Sequence, residues 1–93
     1  MYGLIGQIIT HPNQRPTLTA LLTAATVNMP NCLHYLIAHD QNDPNALWIT
    51  EIWTDKAAHQ ASLQLPAIQK AMTDGRPLIA SFGQRIETIP QNH

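Results

Sequence analysis

Residues 32–54 read CLHYLIAH, then DQNDPN, then ALWITEIWT. The outer stretches, Cys32 to His39 and Ala46 to Thr54, have β character, and the polar and structure-breaking residues Asp40 to Asn45 lie between them, so the segment predicts a β-hairpin. Both parities of its strands are apolar: Leu33, Tyr35 and Ile37 against Leu36 and Ala38, and Leu47 and Ile49 against Trp48 and Ile52. A sheet built from such strands is apolar on both faces and has to be covered twice.

Upstream of the hairpin, Tyr2 to Thr10 (YGLIGQIIT) is too short for a stable helix and rich in isoleucine, which predicts a strand whose one strongly polar interior residue is Gln7. A turn over His11 to Pro16 then leads into Leu18, Leu21, Leu22, Ala25 and Met29 at helical spacing, a helix that Pro30-Asn31 ends. Downstream, Asp55 suits an N-cap, Ala58, Ala61, Ser62 and Leu65 share a helical face, and Pro66 suits the first turn of a second piece that Gly75 stops. The last strand is expected at Ser81 to Thr88, with a loose tail at 90–93. The order β-α-β-β-α-β is that of an α+β, ferredoxin-like antiparallel sheet with the helices on one face. The uncovered face then calls for a second copy of the chain.

With 93 residues, the chain is expected to form a single domain over 1–93. A 44% hydrophobic and 12% charged composition with net charge -1 excludes a disordered tail and a basic nucleic-acid module. No apolar run reaches the length of a membrane span, and no basic residue precedes the first one, so neither membrane nor nucleic acid is an expected partner. The sole cysteine, Cys32, excludes an internal disulfide framework and suits a reducing compartment; the cytoplasm is the expected location.

Histidines invite a metal reading, but His34 and His39 fall at odd separation on one strand and point to opposite faces. Cys32 and His34 share a face at i, i+2 with no evident third ligand, so no metal site is expected. His11 and His93 lie in a turn and a tail, and His59 falls beside the alanine stripe as an exposed residue. His34 sits inside an apolar strand beside Tyr35, where an imidazole is either a satisfied structural group or a functional one. Glu51 is a mid-strand carboxylate between Ile49 and Trp53 on its own face, costly unless paired, and Arg85 in the last strand could pair with it. Trp48 and Trp53 lie on opposite faces, so only one can look toward the helices. No dinucleotide fingerprint, Walker loop or catalytic serine triad is present.

Glu51-x-Trp53-x-Asp55-x-x-Ala58, the later Pro66, and Cys32-x-x-Tyr35 together resemble the antibiotic biosynthesis monooxygenase family, in particular its small quinol monooxygenases. The resemblance covers nearly the whole chain in length and element order. It implies ferredoxin-like protomers that pair sheet to sheet as a homodimeric α+β barrel, and oxidation of quinols or related polycyclic phenols by dioxygen with no cofactor. The family's histidines in the helix and just after its proline are matched here by Ser62 and Ala67, and the Asn, Trp and proximal His of the haem-degrading relatives by Gln7, Ser62 and Met72, which argues against haem breakdown. A base, hydrogen-bond donors and an aromatic wall suffice for quinol oxidation. His34 is the expected base, with Gln7, Tyr35, Glu51, Trp53 and Arg85 as expected substrate-binding groups. A non-catalytic module that binds small aromatic ligands or serves interaction is the alternative.

Overall fold

Strands β1 (Tyr2–Thr10), β2 (Cys32–His39), β3 (Ala46–Trp53) and β4 (Ile79–Thr88) form one sheet of order β2-β3-β1-β4 in a computed structural model that describes residues 1–92. All pairings are antiparallel. Helix α1 (Arg15–Ala25) links β1 to β2, and α2 (Lys56–Ser62), α3 (Pro66–Gly75) and a 3₁₀ turn (Arg76–Leu78) link β3 to β4. This is the expected ferredoxin-like α+β fold. His93 lies outside the described residues.

The period-two geometry of the strands sorts side chains cleanly. Tyr2 faces Trp53, Leu4 faces Glu51, Gly6 faces Ile49 and Ile8 faces Leu47 across the β1–β3 ladder, and these residues share the side that carries the helices. The core there has two parts. Leu18 of α1 packs with Leu47 and Ile49, joined by Ile8, Leu22 and Tyr35, while Tyr2, Leu4 and Trp53 form a second cluster joined by Met29, Cys32 and Ala58. The other face holds Ile5, Ile9, Trp48 and Ile52, with Leu36 still 50% and Ile86 46% exposed.

Three details depart from the sequence reading. Helix α1 ends at Ala25, where the Thr26 N–H and hydroxyl both bond the Leu22 carbonyl, and Pro30 disfavours helical geometry at Met29. Met29 therefore reaches the Trp53 cluster from a loop. Strand β4 begins at Ile79, two positions before the expected Ser81. The β2–β3 ladder slips between Cys32 and His34, a bulge that turns these two residues to opposite faces although they stand two apart.

Local chemistry holds the connections. Asp55 accepts from the Ala58 N–H at 2.8 Å and starts α2, and Pro66 opens α3, both as the sequence predicts. Arg15 Nη1 donates to the carbonyls of Asp40, Asp43 and Ala46 at 3.2, 2.9 and 3.0 Å, tying the start of α1 to the hairpin loop. Within that loop Asp40 accepts from the Trp48 indole N–H at 2.9 Å. Trp48 is thereby committed to the helix-free side.

Candidate active site

Where β1 and β3 meet α2, polar groups gather on the helix side. The Asp55 cap sets the first turn of α2, and that turn carries Lys56 and His59, three positions apart and therefore on one face. His59 sits 5.7 Å from the Tyr2 ring and 5.6 Å edge-on from Trp53, between centroids, with its side chain only 13% exposed. Its Nε2 lies 3.9 Å from Glu51 Oε1, and the Trp53 indole N–H donates to the same oxygen at 3.1 Å. Beside this group, the Tyr2 hydroxyl donates to Glu87 Oε2 at 2.7 Å, and Lys56 pairs with that oxygen at 3.2 Å.

Burial decides the charge states. Glu51 is pushed above the usual carboxylate range by desolvation, which outweighs the opposing Trp53 hydrogen bond and the Arg85 charge. His59 is pushed down, first by burial and then by the Arg85 charge, so its imidazole is neutral and its contact with Glu51 is no ion pair at neutral pH. Tyr35, opposite Glu51 on β2, is raised by burial and by the Glu51 charge, which keeps its phenol protonated as a donor. Glu87, exposed and hydrogen-bonded by Tyr2 and Lys56, is held below its ordinary value.

Glu51 also forms the wall of a hollow of about 220 Å³ bounded by Leu4, Ile8, Ile49, Phe82 and Arg85. Its space comes from Gly6, whose Cβ position has nothing within 4 Å. Gly6 stands between Ile49 on β3 and Arg85 on β4, so any side chain there would project among them. The β1–β4 ladder then slips between Gly6 and Ile8, and the Gln7 amide lies across Gly83, where an added Cβ would strike it. The hollow thus pairs an apolar floor with a buried carboxylate on one side and a guanidinium on the other.

Of the residues expected from sequence, Glu51 and Arg85 line this hollow from the helix side, and Tyr35 and Trp53 flank Glu51 there; Gln7 borders it through its backbone, but its side chain, paired with Trp48, belongs to the helix-free face and reaches across Gly83 to the Gln84 N–H. His34 is elsewhere. The bulge at Leu33 leaves it exposed on the helix-free face, paired with Ile52, so it does not share the hollow with Glu51. Arg85 approaches Glu87 at 4.0 Å, and the hydrogen-bond partner of Glu51 is Trp53. His59, expected to be exposed, is the residue that sequence reasoning missed. Its only local signal was its place one helical turn after the Asp55 cap. Among the described residues, no three His, Cys, Asp or Glu side chains cluster as metal ligands, and no helix is long and apolar enough to cross a membrane.

A family model for antibiotic biosynthesis monooxygenases matches residues 1–74. The chain belongs to that family. A solved structure from Chloroflexus aurantiacus, assigned to the family by its name, is 47% identical, with a TM-score of 0.96 over 99% of this chain and 94% of that one. Similarly named proteins from Deinococcus radiodurans and Bacteroides thetaiotaomicron, at 24% and 20% identity, share the fold with TM-scores of 0.82 and 0.85. The first covers 100% of this chain and 95% of its own, the second 98% and 90%. No curated protein matches the chain. The family places a monooxygenase reading on a sheet whose helix side already carries a hollow, a buried acid and a cation.

Proposed function

We propose that the protein is a cofactor-independent monooxygenase that oxidises quinols or related polycyclic phenols with dioxygen in the hollow above Gly6. The observation that carries this reading is Glu51, a carboxylate made more basic by burial at the wall of a ligand-sized space, opposite Arg85. A carboxylate so placed can accept the phenolic proton. The quinolate left behind is a far better electron donor, and Arg85 stabilises its charge. Trp53 fixes the Glu51 oxygen that it bonds, and neutral His59 closes the site from behind without competing as a cation.

The substrate supplies all the electrons. Two leave as quinol becomes quinone, and two more as a ring C–H becomes C–OH. Dioxygen takes these four; one oxygen atom enters the ring and the other leaves as water, with the protons balanced between substrate and water. Dioxygen uptake above the protein-free rate, with a naphthoquinol and an added chelator, tests the reading. Uptake equal to the protein-free rate would favour the non-catalytic binding module.

The partners of this reading are a small aromatic substrate, dioxygen and a second copy of the chain, with the cytoplasm as its setting. The half-buried Ile5, Ile9, Trp48 and Ile52, with exposed Leu36 and Ile86, form an apolar sheet face in a chain too short to cover it. A homodimer joined there should dominate sedimentation equilibrium at micromolar concentration; a species of 10.3 kDa alone would refute it.

A further inference from the structure

A second, larger hollow of about 450 Å³ lies between α1, α3 and β4. Leu18 and Ile8 form its floor, Leu22, Ala71 and Met72 its helical walls, and Phe82 its border with the hollow above Gly6, which Ile8 and Phe82 also line. Gly75 lets α3 close on α1: an added Cβ would come within 3.0 Å of Leu18 Cδ1. The polar residues at its edge, Arg76 and Ser81, are exposed. The two spaces therefore differ in chemistry while sharing a wall. The smaller one has a carboxylate and a guanidinium; the larger offers almost only hydrocarbon.

We propose that this second hollow receives an aliphatic tail on the ring of the substrate, so that the preferred substrate class is an alkyl- or prenyl-substituted aromatic quinol. The inference rests on the quinol-oxidation reading and extends it. Ile8 and Phe82 line both hollows, so only these two apolar side chains stand between a ring held at Glu51 and Arg85 and the larger space that its tail would fill. A second copy docked on the helix-free face would leave this space open, because it lies on the helix side of the sheet. Burying a hydrocarbon chain there gains affinity methylene by methylene.

The test compares 2-methyl-, 2-propyl- and 2-hexyl-1,4-naphthoquinol in dioxygen-uptake assays, alongside equilibrium dialysis of the corresponding quinones. The wild-type kcat/KM should rise about twofold to fourfold per methylene until the space is filled. Ala80→Trp, at an exposed β4 position on the rim, should flatten this dependence, and Met72→Trp on α3 should do the same if the strand variant fails to fold. Uptake that is independent of chain length would overturn the tail site and leave the oxidation reading standing. Chain-length-dependent quinone binding without uptake would do the reverse. A Trp variant that alters the sedimentation of the protein and leaves the chain dependence intact would mean that another chain covers this hollow, and would also overturn the proposal.

Discussion

Glu51→Gln should lower the enzyme-dependent oxidation rate by about two to four orders of magnitude, the usual contribution of a positioned general base. The amide keeps the shape of the carboxylate and can still accept from Trp53, so the loss reports the proton acceptor and not the packing. The same variant should be more stable than the wild type at neutral pH. Burial raises the folded-state value of Glu51 above its ordinary 4.5, so above that pH the folded chain retains a proton the unfolded chain has released. Stability therefore falls as pH climbs from 4.5 through the raised value, and glutamine abolishes that part of the fall. Activity should run the other way, rising with pH as Glu51 ionises. Denaturant melts and initial rates across pH, corrected for autoxidation, check both. If His34→Ala shows the large rate loss and Glu51→Gln does not, the base is on the helix-free face and the hollow is the wrong site.

Gly6→Val should abolish turnover, by about a hundredfold or more, while leaving the fold as stable as before or more so. The added Cβ has nothing within 4 Å, and valine suits the middle of a central strand better than glycine does. Its methyl groups project into the space between Glu51 and Arg85, where the ring must lie. Misplacing a reacting group by an ångström costs about this much. A valine variant with an unchanged melting curve and full activity would remove the hollow from the account.

The element order was legible because strong local signals agreed with the tertiary fold. The polar stretch Asp40 to Asn45 separated two β runs, Asp55 capped a helix, and Pro66 opened another. The doubly apolar hairpin likewise announced a sheet with one face left bare. Side assignment was harder. An odd separation put Trp48 and Trp53 on opposite faces, but which of them faced the helices depended on Tyr2 pairing with Trp53, a contact between strands far apart in sequence. The Leu33 bulge carried no glycine or proline to mark it, so the strict alternation that made Cys32 and His34 neighbours failed at that point. His59 was invisible for a related reason. Its environment is made by aromatic rings from two strands, and the helix read alone shows only small or polar residues, Lys56, Ala58, Gln60 and Ser62, around it.

Isotope labelling follows the transferred oxygen atom itself: purified protein is given a naphthoquinol under ¹⁸O-labelled dioxygen, and the product is weighed by mass spectrometry. A cofactor-independent monooxygenase gives a hydroxylated quinone carrying one ¹⁸O atom for each dioxygen consumed, formed in the presence of chelator without added flavin and lost in Glu51→Gln. A product that is only the unlabelled quinone, with dioxygen recovered as hydrogen peroxide at the protein-free rate, would contradict the monooxygenase reading.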